Sequence, residues 1–179
     1  MNINHPIQRI YLVGIMGCGK TTNGSLLAQV LDWEFMDLDA LIEGENGSTV
    51  SRIFSIHGET RFRDLETAAL EQTLTLHNTV VACGGGVVLR YGNRETLKGE
   101  CVIWLDVPPA EAAGRIRSRE NRPLLQKDAS ILDILTEHYQ YRYPLYAEVT
   151  DFHLKPEGES PEVVTTQILK FLEQNAHEH

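Results

Sequence analysis

Thirteen consecutive residues constrain this chain more than any others: Ile10-Tyr11-Leu12-Val13-Gly14-Ile15-Met16-Gly17-Cys18-Gly19-Lys20-Thr21-Thr22. A short apolar run enters a glycine-rich turn, and a lysine–hydroxyl pair then opens a helical pattern. Gly14, Gly19, Lys20 and Thr21 fit the phosphate-binding loop G-x-x-x-x-G-K-[ST]. The glycines let backbone N–H groups curl around a phosphate, and the following helix N-terminus adds partial positive charge. In such a loop Lys20 reaches the β- and γ-phosphates and the Thr21 hydroxyl ligates Mg²⁺. An ordinary glycine-rich turn lacks this strand-before, helix-after context. The expectation is a nucleoside triphosphate site, which leaves the phosphate acceptor to be found.

The loop also fixes the fold class, because apolar runs of strand length continue to alternate with helical patterns. That alternation indicates an α/β protein with a parallel sheet. The strands are expected at Ile10–Val13, Glu34–Met36, Thr79–Cys83, Cys101–Leu105 and Phe152–Leu154. The helix after the loop carries Leu26, Leu27, Val30 and Leu31 at helical spacing. Helical segments follow to about Leu76, with Phe62, Leu65 and Ala69 on one face. Further helices are expected from Pro108, over Ile131–Tyr141, and from Pro161 to Glu173, the last burying Val164, Ile168, Phe171 and Leu172. Residues 175–179 should fray, and His177 and His179 read as a loose tail rather than a metal site.

With 179 residues and no linker or repeat, one domain spanning 1–179 is expected. A net charge of −9 argues against nucleic acid as a partner. Cys18, Cys83 and Cys101 are an odd set without metal-site spacing, which suits a reducing compartment. No apolar run reaches membrane-spanning length and the start carries no signal peptide. The expectation is a soluble cytoplasmic protein without membrane contact.

Ligands of open α/β sheets sit beyond the carboxyl ends of the strands, which gathers Gly14–Thr21, Asp37, Asp39, Gly84–Gly86 and Asp106 around one crevice. A kinase needs one carboxylate near Mg²⁺ and another near the acceptor hydroxyl. Asp37 suits the metal, through water, and Asp39 the hydroxyl; alternatively one of them simply caps the next helix. Val102-Ile103-Trp104-Leu105-Asp106 offers a rival metal carboxylate at a strand end, although Val107-Pro108-Pro109 reads as a helix-entry turn. Arg63 can fork onto a carboxylate or phosphate, or pair with Glu66 three residues on. Gly84-Gly85-Gly86 suggests that something approaches the main chain closely, more than a wide loop would explain.

Arg115, Arg117, Arg119 and Arg122 concentrate arginine in an otherwise acidic chain, which suits phosphate. Arg122-Pro123 also interrupts the helix, as a closing lid requires; an exposed helix face is the alternative, with Glu111 and Arg115 four apart. Arg142 stands among aromatics at an expected helix end and is either stacked there or a second fork for an acidic substrate. Cys18 lies inside the phosphate loop, where a structural role fits better than nucleophilic catalysis, since direct phosphoryl transfer needs no nucleophile on the protein.

Over about residues 10–154 the chain resembles the shikimate kinases. The resemblance rests on Gly14–Thr22, Phe35-Met36-Asp37-Leu38-Asp39, Ile53-Phe54, Gly58-Glu59 with Phe62-Arg63, Gly84–Gly86, Arg122-Pro123-Leu124-Leu125 and Arg142-Tyr143-Pro144-Leu145-Tyr146. It implies a three-layer P-loop kinase fold with a five-stranded parallel sheet in the order 2-3-1-4-5, generally monomeric. It implies ATP- and Mg²⁺-dependent phosphorylation of the 3-hydroxyl of shikimate, on the way to chorismate and aromatic amino acids. Lys20, Asp39 and Arg122 would be catalytic. Gly17, Cys18, Gly19, Lys20, Thr21, Thr22, Arg115 and Arg122 would hold ATP, with Arg115 near adenine, and Thr21 and Asp37 would hold Mg²⁺. Asp39, Arg63, Gly84, Gly85, Gly86 and Arg142 would form the shikimate site, both arginines on the carboxylate and Asp39 on the ring hydroxyls. The substrate-binding segment would be about 39–66 and the mobile lid about 115–127. Cys83 departs from the pattern, since other small residues or Thr are frequent before the glycines. Other readings are another small-molecule kinase, such as one for gluconate, and a nucleotide-binding regulator without catalysis. Intact Lys20, Thr21, Asp37, Asp39 and Arg122 argue against the regulator.

Overall fold

Five parallel strands in the order β2-β3-β1-β4-β5 carry the fold in a computed structural model that describes residues 7–116, 124 and 129–176. They are β1 (Arg9–Val13), β2 (Glu34–Asp37), β3 (Thr79–Ala82), β4 (Cys101–Leu105) and β5 (Phe152–Leu154). β1 lies at the centre, where Ile10 pairs with Val80 on one side and Cys101 on the other. Its residues Ile10 to Val13 are fully buried, as a strand covered on both faces must be.

Seven helices connect and cover the strands among the described residues: α1 (Lys20–Leu31), α2 (Leu38–Asn46), α3 (Val50–Thr73), α4 (Tyr91–Leu97), α5 (Pro109–Arg115), α6 (Ile131–Val149) and α7 (Pro161–Ala176). Neighbouring residues of β1 show that these form two layers, since successive strand side chains point to opposite faces. The Tyr11 hydroxyl meets Thr73 Oγ1 of α3 at 2.7 Å, whereas Leu12 faces Gly24 of α1. α1 packs with α7 on the second side, while α4 and α6 lie with α3 on the first. Among the described residues no helix is long and apolar enough to cross a membrane.

The strand expectations match within a residue or two, and three helices differ for identifiable reasons. α1 buries Asn23, Gly24, Leu27 and Ala28, leaving Val30 55% exposed; small residues bring the helix close to the sheet, so its inner face is not its most apolar one. α3 contains Gly58 at φ 78 and ψ 173, so two helical segments meet there at an angle. α6 continues past Tyr141 to Val149 with Pro144 inside it. Proline removes one helical hydrogen bond, but Arg142, Tyr146 and Val149 beyond the expected end are buried and hold the last turns in place. Arg117, Arg119, Arg122, His177, His179 and most of the lid expected at 115–127 lie outside the described residues.

Candidate active site

The carboxyl ends of the strands open on a cavity of about 620 Å³, a volume typical of small-ligand sites. At one end is the phosphate loop. Gly14, Gly17 and Gly19 have φ of 140, 82 and 97, a region that side chains other than glycine rarely enter. The backbone of the loop is thereby turned toward the start of α1. Lys20 Nζ donates to the carbonyls of Gly14 at 2.8 Å and Ile15 at 3.0 Å, folded back over the loop that a phosphate would fill. Thr22 is exposed, whereas the Cys18 side chain is fully buried, so only the Cys18 backbone can meet a nucleotide. Arg115 donates to the Cys18 carbonyl at 3.3 Å and pairs with Glu111. Arg115 thus belongs to a helix-face ion pair and also lines the cavity.

Asp37 ends β2 and does two things at once. Its Oδ1 accepts from the backbone N–H groups of Asp39 at 3.0 Å and Ala40 at 3.3 Å, capping α2. Its Oδ2 accepts from the Thr21 hydroxyl at 2.8 Å. A carboxylate and a hydroxyl at the edge of a phosphate loop are hard oxygen donors, and Mg²⁺ is held by one or two such groups plus phosphate and water rather than by a protein cage. Among the described residues no cluster of three His, Cys, Asp or Glu forms such a cage. The Thr21–Asp37 pair thus fits Mg²⁺ bound together with a triphosphate.

At the opposite end, α2 and α3 place Asp39 and Arg63 beside Gly84–Gly86. Burial, with the charge of Asp37 adding to it, pushes the Asp39 carboxyl up to about 6 against the pull of Lys20 and Arg63. Arg63 is buried and donates through Nη1 to Glu66 at 2.7 Å and through Nη2 to Glu59 at 3.0 Å. Sequence spacing suggested a surface pair with Glu66; the pair is instead buried. Arg142 reaches across from α6 and donates to the Gly85 carbonyl at 3.0 Å, where the Tyr146 hydroxyl also donates at 2.6 Å. Tyr143 stacks edge-on against Trp104, but Arg142 itself turns to the glycines.

The close approach expected at the three glycines is literal. A Cβ on Gly84 would stand 2.7 Å from Glu66 Oε1, one on Gly86 would overlap the Arg63 guanidinium, and one on Gly85 would lie 3.4 Å from the Gly14 carbonyl oxygen. The glycine turn is the floor on which loop, carboxylates and arginines converge. Asp106 is not part of this assembly. It is 4% exposed and accepts from Tyr139 at 2.9 Å, with His153 Nε2 at 2.7 Å from its other oxygen. It joins β4, β5 and α6, away from the cavity wall. Two residues of the cavity region escaped the sequence reading. Glu66 looked like an ordinary helix-surface partner, and Tyr146 was one aromatic among several; its position four residues after Arg142, on one helix face, was the available signal.

Comparison with known proteins gives the same picture. The family model for shikimate kinase matches residues 16–173. A shikimate kinase of Synechococcus elongatus is 42% identical over 164 residues, 91% of this chain and 85% of the relative. The structure of a shikimate kinase from Acinetobacter baumannii in complex with shikimate superposes with a TM-score of 0.91 and 36% identity, covering 94% of each chain. A gluconokinase from Sinorhizobium meliloti, at 17% identity and a TM-score of 0.63 over 97% and 95% of the two chains, shares the fold alone. Identity at this level along nearly the whole length is likeness of family: the chain belongs to the shikimate kinases and is an ATP-dependent kinase.

Proposed function

We propose that the chain transfers the γ-phosphoryl group of ATP to the 3-hydroxyl of shikimate, using the residues that converge on Gly84–Gly86. The observation that carries this reading is the pairing of two arginines, Arg63 and Arg142, with a half-buried carboxyl, Asp39, at the end of the cavity opposite the phosphate loop. An acceptor bearing both a carboxylate and a hydroxyl satisfies that set. The arginines take the carboxylate bidentately, which aims the hydroxyl at Asp39 and, beyond it, at the loop. Phe54 and Phe62, with ring centroids 4.6 Å apart, supply an apolar wall for a ring.

The transition state of phosphoryl transfer is loose, so positioning and charge stabilisation do most of the work. The loop amides and Lys20 would spread the charge on the transferring group, Lys20 exchanging its loop carbonyls for phosphate oxygens. Asp39 would orient the acceptor hydroxyl and take its proton late. Bound between Thr21, Asp37 and the phosphates, Mg²⁺ would supply neutralisation of charge on the β- and γ-oxygens. Arg122 is assigned to the lid over the transferring phosphate, within about 115–127, and residues 39–66 to the segment that closes on the acceptor. One chain of 179 residues supplies all of these groups, which supports a monomer as the active unit. Its three cysteines are free and buried, in keeping with a cytoplasmic setting.

The test is ADP release from ATP and Mg²⁺ with shikimate, gluconate and AMP side by side. Turnover is expected with shikimate; activity independent of it, or preference for either rival, would overturn the reading. Asp39→Asn should nearly abolish turnover while ATP affinity persists, and a matching loss of ATP affinity would show that the carboxylates are misassigned.

A further inference from the structure

The glycine turn satisfies two of its three carbonyls from its own backbone. The Gly84 carbonyl accepts from the Val87 N–H at 3.1 Å and the Gly86 carbonyl from the Leu89 N–H at 2.9 Å. The Gly85 carbonyl, between them, takes both of its donors from α6: Arg142 Nη1 at 3.0 Å and the Tyr146 hydroxyl at 2.6 Å. Two donors fill the two lone pairs of a carbonyl oxygen. Gly85 is also wedged against the phosphate loop, since a Cβ there would lie 3.4 Å from both the Gly14 carbonyl oxygen and the Met16 nitrogen. Its peptide therefore has little room to turn toward other partners.

The two donors are not equivalent. Arg142 is a buried cation at the cavity wall, and its Nε has no hydrogen-bond partner among the described residues. An anionic acceptor in the cavity competes for that guanidinium with a neutral carbonyl, and the charge-assisted bond is roughly twice as strong. Tyr146 faces no such competition. Its side chain is fully buried, with the ring tilted against Trp104 at a centroid distance of 5.5 Å. Burial raises its phenol above the usual value, so the hydroxyl keeps its proton and remains a donor.

We propose that Tyr146 is a positioning residue of the acceptor site and that it underlies the preference for a carboxylate-bearing acceptor. This rests on the function proposed above. When the acceptor carboxylate draws Arg142 away from the Gly85 carbonyl, the Tyr146 hydroxyl stays there, so the exchange leaves no carbonyl unpaired. Without that hydroxyl, Arg142 would be the only donor to the carbonyl. Each acceptor carboxylate that Arg142 took would then orphan the Gly85 oxygen, and that loss would weaken binding. A neutral acceptor, which does not draw Arg142 off the carbonyl, would not feel the change. Tyr146 thus acts through Gly85 and Arg142 rather than on the acceptor itself.

Tyr146→Phe tests this, because it keeps the ring against Trp104 and removes only the hydroxyl. The probes are shikimate and its neutral carboxamide, each titrated calorimetrically into the full chain. Shikimate affinity should fall roughly 5- to 150-fold, the loss that one unpaired carbonyl causes, while carboxamide and ATP affinities stay close to wild type. The preference for shikimate over the carboxamide should shrink by the same factor. Equal losses for both probes, as a general loosening of the core would give, or wild-type shikimate affinity in a folded Tyr146→Phe would overturn the proposal. A crystal structure of the wild-type shikimate complex decides the matter should the variant fail to fold. There Tyr146 should remain on the Gly85 carbonyl while Arg142 Nη1 lies beyond about 3.5 Å from it; Arg142 still bonded to Gly85, or Tyr146 displaced, would overturn the proposal as well. A wild type that binds shikimate no better than the carboxamide would instead refute the arginine–carboxylate contact of the proposed function.

Discussion

Gly86→Ala isolates the close approach at the acceptor end from every other function of the glycine turn. Gly86 has φ −100 and ψ 0, which alanine also adopts, so the backbone suffers no strain. The unfolded chain loses some freedom, which favours the variant by about 0.4–1 kcal/mol. Opposing this is the new methyl group, which would overlap Nη1 and Cζ of Arg63 and stand 2.5 Å from Nη2. An exposed arginine would swing away. Arg63 is held by Glu66 at 2.7 Å and Glu59 at 3.0 Å in a buried setting, so it must surrender at least one charge-assisted bond or its aim at the acceptor. Such bonds contribute about 1.5–3 kcal/mol each. Shikimate affinity should therefore fall roughly 10- to 150-fold and the melting temperature by several degrees at most, while ATP affinity changes little. Shikimate and ATP dissociation constants, with a thermal melt of the same samples, check this. Wild-type shikimate affinity in a normally folded variant would refute the idea that these glycines exist to admit Arg63.

Asp106→Asn tests the rival strand-end carboxylate. Because Asp106 binds Tyr139 and His153 inside the fold, the substitution should destabilise by about 1–3 kcal/mol, a drop of roughly 3–10 °C in melting temperature, with the Mg²⁺ dependence of turnover unaltered; a changed Mg²⁺ dependence at normal stability contradicts this. Stability should also carry the mark of the two raised carboxyls. Asp39 at about 6 and Glu66 at about 7 hold protons in the fold that an unfolded carboxyl releases near pH 4. Their contribution therefore favours the ligand-free fold at mildly acid pH and turns against it as pH rises toward 7, by on the order of a few kcal/mol in all. Urea unfolding of the wild type and of Asp39→Asn/Glu66→Gln at pH 5 and pH 8 measures the difference, and parallel pH dependences would contradict it.

The parts of the fold legible in the sequence are those governed by local rules. β4 was readable to the residue because a fully buried apolar run bounded by turn residues leaves little choice. The failures arise where tertiary packing overrides such rules. The sequence pattern places the end of α6 near Tyr141, yet the next turn bears Tyr146, whose hydroxyl reaches Gly85, and the helix runs on through Pro144. Val30 suited an apolar face, but the sheet selects Gly24 and Ala28, which allow closer approach. In the cavity, Asp37 caps α2 through one oxygen and meets Thr21 through the other, and Arg63 pairs with Glu66 and Glu59 while lining the cavity, so the structural reading of each side chain does not exclude the functional one. A cap and a donor set can share a carboxylate with two oxygens, and a guanidinium with several N–H groups can hold Glu66 while facing the acceptor.

The contrast between Asp37 and Asp106 shows what sequence form omits. Each ends an apolar strand, and Asp106 follows the longer run. What separates them is the company that sheet order supplies. β4 lies between β1 and β5, so Asp106 meets the His153 ring from β5 and Tyr139 from α6, and both its oxygens are engaged in the fold. β2 is an edge strand beyond β3, so Asp37 has no strand on its outer side, and its free oxygen finds the first hydroxyl of α1. The difference is one of competition for lone pairs. A carboxylate with a phenol on one oxygen and an imidazole on the other has little left for a cation, whereas one whose second oxygen meets only a threonine hydroxyl can exchange that bond for a shared metal. Strand order, set by long-range pairing and invisible to local pattern, thus decides which aspartate is chemically available.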